Sequence, residues 1–292
     1  MLLSAPLALA ILLPANAMAA TGDSYVALGD SYTAGPGIPS HGPPPPPPGC
    51  VKSDQNYPHL VANDLSLQLK DVSCSGAKTD DMTSPQNVTG DSQPAQFDAL
   101  ANDTDVVTMT IGGNDIGFTE ISENCASTTP TGTPCQDHYV RGGRDEISLR
   151  IKRTADKVAT VLQGIHTRSP SAAVYLVNYL PILPVDQPTW TTQNRASGHG
   201  CWPQVPITDA DAAYVVAKEE ELNAMLAKVA KANNATLVDG YQAAGNNHDA
   251  CQKTPAQRWV EPEVAPVGAA PLHPNINGMQ GYAKAVEAAI SK

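Results

Sequence analysis

Residues 104–115, TDVVTMTIGGND, decide the fold. The run from Val106 to Ile111 is apolar and β-branched, and Gly112-Gly113-Asn114-Asp115 stops it with a tight polar turn. That combination reads as a buried strand rather than one with a wet face. Working outward, the same pattern recurs. Ser24 to Leu28 is a short apolar strand ending in Gly29-Asp30-Ser31. Asn56 to Leu69 carries Leu60, Val61, Leu65 and Leu69 near helical spacing, and residues 69–74 form a second strand. Downstream, the spacing predicts a helix over 145–167 with Ile147, Ile151, Val158, Val161, Leu162 and Ile165 inward, then a strand over 172–179 stopped by Pro181. A helix over 209–233 follows, with Asp209 as N-cap and Val215, Leu222, Met225, Leu226 and Val229 inward. Thr236 to Val238 is a fifth strand, and Asn277 to Ile290 a closing helix. Strand then helix, repeated about five times, implies an α/β domain whose parallel sheet is covered on both faces. Sites in such folds lie at the carboxyl ends of the strands.

Composition sets the class of protein around that frame. The chain has 292 residues, 16% charged and 41% hydrophobic, with net charge −11. The charged share falls well below the roughly 25% usual for soluble domains, yet the apolar share allows a substantial core. Eighteen basic residues against twenty-nine acidic ones exclude a phosphate-tracking nucleic-acid binder. Residues 1–19 read as a signal peptide: Leu7 to Leu13 is apolar and Ala17-Met18-Ala19 supplies the A-x-A pattern, although no basic residue precedes Lys52. No later stretch reaches spanning length, so a secreted protein without stable membrane insertion is expected. Residues 20–292 then form one domain, since neither an internal repeat nor a linker divides them.

The cysteines fit export. Cys50, Cys74, Cys125, Cys135, Cys201 and Cys251 contain no C-x-x-C pair, which disfavours zinc or thioredoxin-type chemistry. Six cysteines permit about 15 pairings. The expectation is sequential, Cys50–Cys74, Cys125–Cys135 and Cys201–Cys251, each clipping an irregular loop.

Four short blocks stand at or near strand ends. Gly29-Asp30-Ser31-Tyr32 places a serine directly after the first strand, where a nucleophile would sit. Thr33 rules out the G-x-S-x-G elbow. Cys74-Ser75-Gly76-Ala77 brings a glycine whose N–H can approach a substrate oxygen closely. Gly112-Gly113-Asn114-Asp115 turns an Asn amide toward the space above the sheet, where it can donate to an oxyanion. Leu272-His273-Pro274-Asn275 delivers an imidazole just ahead of the last helix. Taken singly, each block also fits an ordinary turn or helix cap.

Jointly, the order G-D-S, Gly, G-x-N-D, H-P-N resembles the SGNH hydrolases, also called GDSL lipases and esterases. The cysteine set resembles the secreted actinobacterial lipase/esterase branch, in which three disulfides are usual. The resemblance implies a flavodoxin-like three-layer α/β/α fold with a five-stranded parallel sheet, and ester hydrolysis through an acyl-enzyme without cofactor or metal. It makes Ser31 the nucleophile and His273 the base, with an oxyanion hole from the Ser31 and Gly76 N–H groups and the Asn114 side chain. One departure stands out. The family often has an Asp three residues before the His, and here that position is Ala270. Its backbone carbonyl is the expected substitute for orienting the ring; Asp239 and Asp249 are the carboxylate alternatives.

Substrate recognition falls to the long insertions at 36–51, 75–93, 122–143, 181–207 and 240–272. Ile38, Ile116, Phe118, Ile182, Leu183 and Val185 are candidates for an acyl groove, with Trp190 and Trp202 as walls or packing. The six prolines from Pro43 to Pro48 read as a stiff surface loop. An acyl-lipid ester is the expected substrate of a monomeric enzyme. Polysaccharide deacetylation, and a non-catalytic secreted binding module on the same fold, are the competing readings.

Overall fold

The computed structural model describes residues 19–42, 48–184 and 201–292. The signal-peptide segment apart from Ala19, the proline run before Pro48, Val185 and Trp190 lie outside these residues.

Five strands, β1 (Ser24–Gly29), β2 (Gln68–Asp71), β3 (Val106–Thr110), β4 (Ala173–Val177) and β5 (Thr236–Val238), build the central sheet. All pair in parallel, in the order β2-β1-β3-β4-β5. This is the flavodoxin order, whose ligand crevice opens where the winding reverses between β1 and β3. In the β1–β3 register, Tyr25 faces Val106 and Gly29 faces Thr110, so both strands end level.

The helices are α1 (Ser31–Ala34), α2 (Tyr57–Leu65), α3 (Phe118–Cys125), α4 (Pro134–Tyr139), α5 (Glu146–Arg168), α6 (Asp209–Ala232), α7 (Gly240–Ala244) and α8 (Ile276–Ile290). Among them α2 packs with α8, and α5 with α6, as the two pairs flanking the sheet. The predicted apolar face of α5 is buried throughout. In α6, Leu222, Met225, Leu226 and Val229 are buried, whereas Val215 is half-buried beside a cavity.

Three boundaries differ from the sequence reading. The helix expected to reach Leu69 stops at Leu65, because Ser66 turns into the left-handed region (φ 55°) and its N–H satisfies the carbonyls of Ala62 and Asn63. Strand β2 can then begin at Gln68. The N-cap of α6 is Thr208, whose hydroxyl accepts from the Asp211 N–H; Asp209 is already inside the helix. The insertions also contain two small hairpins, over 86–93 and 140–145, that the sequence reading treats as irregular.

Disulfides join Cys50 to Cys74, Cys125 to Cys135 and Cys201 to Cys251. The first ties an early insertion to the end of β2. The second links α3 to α4, and the third links two late insertions.

A charged cluster supports the β2 edge. The Lys52 and Asp71 side chains are 2% and 3% exposed; Lys52 Nζ donates to the Asp71 carbonyl at 2.6 Å and lies 3.7 Å from its carboxylate. Asn56 Nδ2 and both Ser73 donors complete the Asp71 shell. Removing one member of a buried pair strands the other charge at a cost of about 3–5 kcal/mol. Lys52→Met is therefore expected to lower stability by about that amount in urea denaturation; a loss under about 1 kcal/mol would show that Asp71 is adequately solvated without Lys52.

Candidate active site

The loop that carries Ser31 begins at Gly29. A Cβ there would lie 2.5 Å from Thr33 Oγ1 and 2.6 Å from the Thr110 carbonyl, and φ is +130°, so only glycine fits. Asp30 follows, buried, with its N–H on the Thr110 carbonyl and its Oδ1 accepting the Tyr32 N–H at 2.9 Å. It thereby caps α1 and sets Ser31 as the first helical residue, 8% exposed. Burial pushes the Asp30 carboxyl up to about 7, against hydrogen bonds from Tyr179 and the Tyr32 N–H that favour the ionised form.

His273 reaches Ser31 across 242 residues of sequence. Leu272 takes a left-handed turn (φ 58°), and its carbonyl accepts from the Tyr32 hydroxyl at 2.8 Å. On the other side the His273 carbonyl accepts the Glu261 N–H, while Asn275 caps α8. The rings of Tyr32 and Phe118 pack against the imidazole. Held this way, His273 Nε2 sits 2.8 Å from Ser31 Oγ, and Nδ1 sits 2.7 Å from the Pro271 carbonyl. A carbonyl only accepts, so Nδ1 carries the hydrogen and Nε2 presents a lone pair to the serine hydroxyl. Burial lowers the His273 pKa below its ordinary value, and the Pro271 carbonyl opposes that shift.

The ring-orienting acceptor is thus Pro271, not Ala270. The Ala270 carbonyl instead accepts the His273 backbone N–H at 3.2 Å, closing a tight turn that aims the next carbonyl at the ring. Neither carboxylate alternative reaches the imidazole. Asp239 caps α7 and accepts from Asn178 Nδ2; Asp249 accepts from Gln252 Nε2 and the Cys251 N–H.

Gly76 and Asn114 follow β2 and β3, the strands on either side of β1. The Cys74 N–H donates to the Gly29 carbonyl, which draws the segment after β2 alongside the Ser31 loop. Gly76 has φ +81°, a backbone that favours glycine although a Cβ would meet nothing closer than 3.7 Å. Asn114 Nδ2 donates to the Ala77 carbonyl at 2.9 Å, and the Asp115 carboxylate accepts from the Thr79 N–H and hydroxyl. The Gly76 and Asn114 loops are therefore laced together, with one amide hydrogen of Asn114 left over.

Beside Ser31 opens a cavity of about 430 Å³. Its walls include Ile116, Phe118, Ile182 and Leu183, as the sequence suggests, together with Ile147 and Ile207. Ile38 is not among them; it is buried in the core near Gly35. Trp202 packs away from the cavity, its indole N–H on the Ser127 carbonyl. The contributions of Ile147 on α5 and of Val205 and Ile207 were missed. Ile147 reads as ordinary core by its helical spacing, and the segment before α6 has no periodicity to mark it. Among the described residues, no group of three or more His, Cys, Asp or Glu side chains could hold a metal ion, and no helix is long and apolar enough to cross a membrane.

Residues 27–280 match the model of the GDSL-like lipase/acylhydrolase family. The chain is 34% identical over 269 residues to Lipase 2 of Streptomyces coelicolor, covering 89% of this chain and 83% of that protein. Its fold superposes on the extracellular lipase of Streptomyces rimosus with a TM-score of 0.70 at 25% identity, over 92% of this chain and all of that one. It also superposes on phospholipase A1 of Streptomyces albidoflavus NA297, with a TM-score of 0.71 at 22% identity, over 92% and 99% of the two chains. The chain belongs to the GDSL-like lipase/acylhydrolase family and is a carboxylic ester hydrolase.

Proposed function

We propose that the protein is a secreted lipase-type hydrolase of acyl esters, working through a Ser31–His273 dyad. The observation that carries this reading is the 2.8 Å contact between His273 Nε2 and Ser31 Oγ, beside an apolar cavity that fits an acyl chain. Ser31 Oγ attacks the ester carbonyl carbon while its proton passes to His273 Nε2. The resulting oxyanion is held by the Ser31 and Gly76 N–H groups and the free amide hydrogen of Asn114. Collapse breaks the bond to the leaving oxygen, and His273 returns the proton to the departing alcohol. Water then attacks the acyl-Ser31, losing its proton to His273, which restores the serine and frees the carboxylic acid. The Pro271 carbonyl holds the Nδ1 hydrogen throughout, so Nε2 alone gains and loses the travelling proton.

Residues 1–19, the three disulfides, and the relative described as extracellular support secretion. Polysaccharide deacetylation remains a second reading only for small acyl groups, and a cavity this large and apolar favours longer ones.

Labelling with a fluorophosphonate should place one adduct on Ser31; an unlabelled protein would point to a binding module. Ser31→Ala and His273→Ala are expected to lower kcat by at least about 10⁴-fold, with Asp239→Asn and Asp249→Asn within about threefold of the parent. A loss near 10⁴-fold in either Asn variant would reveal a carboxylate-dependent triad.

Acyl preference is read from a nitrophenyl ester series. Each buried methylene is worth about 0.8 kcal/mol, so kcat/KM should climb about fourfold per methylene until the cavity is full. Turnover confined to acetate would select the deacetylase reading. The pH profile tests the base. His273 acts neutral and burial lowers its pKa, so kcat/KM should hold down to about pH 6.5 and fall only below it. An acid limb centred above that value would remove His273 as the titrating base.

A further inference from the structure

Tyr179 lies two residues beyond β4 and has no part in the steps above. Its hydroxyl accepts the Gly113 N–H at 2.7 Å and donates to Asp30 Oδ2 at 2.6 Å, all three groups being buried. Gly113 directly precedes Asn114, and Asp30 directly precedes Ser31. One oxygen from a third strand therefore bridges the two loops that carry oxyanion donors. The bridge is itself anchored. Tyr179 N–H donates to Asn223 Oδ1 and its carbonyl accepts from Asn223 Nδ2, both at 3.0 Å, which fixes it to α6. Its ring meets Tyr32 edge to face at 4.9 Å. Gly113 is shaped to the hydroxyl: a Cβ there would come within 3.0 Å of Tyr179 Oη.

Satisfying buried polar groups would need no such route, because a water or a serine could serve Gly113 and Asp30 separately. What a single rigid phenol adds is a fixed spacing. Asp30 Oδ1 holds the Tyr32 N–H while Oδ2 holds Tyr179, so the carboxylate transmits the tyrosine's position to the first turn of α1. Oxyanion donors act only within a few tenths of an ångström of their best place, and a 1 Å displacement can cost 10²-fold.

We propose that Tyr179 is a positioning residue of the ester hydrolysis, its hydroxyl setting the separation between the Ser31 N–H and the Asn114 amide at the oxyanion. It rests on Ser31 and Asn114 having the roles assigned above. Since donors meet full charge only in the transition state, the effect falls on kcat and not on ground-state binding.

The test compares Tyr179→Phe with the parent on a soluble nitrophenyl ester, each normalised to sites titrated by fluorophosphonate. The expected result is a kcat lower by about 10–100-fold, KM within about twofold, and an alkylboronic acid inhibition constant raised by the same factor as kcat falls. The boronate forms a tetrahedral anion on the serine and so reports oxyanion alignment directly. If kcat per titrated site is unchanged, or the loss lies in KM alone, Tyr179 only fills the cavity wall and the proposal fails. Asp30→Ala gives an independent arm should Tyr179→Phe not fold. It removes the acceptor of the Tyr179 hydroxyl together with the cap on the Tyr32 N–H, so kcat and boronate affinity should fall together. Paired losses in the double variant should not multiply, because either change opens the same bridge. Unchanged boronate affinity in Asp30→Ala would overturn the proposal. Failure of Ser31 labelling in the parent would instead overturn the nucleophile assignment, and so is told apart.

Discussion

Two strand ends meet at a distance that only a glycine allows. Gly29 at the close of β1 presses on Thr33 and on Thr110 at the close of β3, where any side chain would collide with backbone. Everything in the site hangs from that contact. It lets the Asp30 N–H reach the Thr110 carbonyl, puts Ser31 at the first turn of α1, and sets the Gly112–Asn114 turn beside it. Because the winding reverses between β1 and β3, the crevice above this contact is not covered by a crossover helix, and the insertions are free to wall it with apolar side chains.

The acceptor behind the histidine is a neutral carbonyl. A carboxylate in its place would both orient the ring and stabilise the imidazolium by charge. Pro271 does the first and only weakly the second, so the imidazole depends on burial and stays a weaker base at rest. Compensation has to come from the other half of the charge separation, the oxyanion. In the proposed mechanism three donors of different origin, two backbone and one side-chain, share that charge. The lacing of Asn114 to Ala77 and of Asp115 to Thr79 keeps two of their loops in register.

Much of this was legible in the sequence, for identifiable reasons. Strand β3 and helix α5 were readable because burial on both faces, and a single buried stripe, impose distinct periods on residues 106–110 and 146–168. Ser31, Gly76, Asn114 and His273 became candidates through the family resemblance, because each block alone also fits an ordinary turn or cap; the structure brings Ser31 and His273 within hydrogen-bonding distance. The orienting carbonyl was not legible, since any residue supplies one, and a single left-handed residue at Leu272 decides whether 270 or 271 faces the ring. The cavity was legible in part: Ile116, Phe118, Ile182 and Leu183 line it, but Ile38 does not, and Ile147 looks like core because period reports that a side chain is buried without saying what it is buried against.

The span between Ser31 and His273 has a consequence for the life of the chain before it is finished. During synthesis the serine emerges 242 residues before the histidine, and the tie between them can close only once both are made. A nascent chain that ends before His273 carries Ser31 without the histidine that the proposed mechanism uses as its base. On that chemistry the polypeptide stays inert toward esters, its maker's own lipids included, until its fold brings the two residues together.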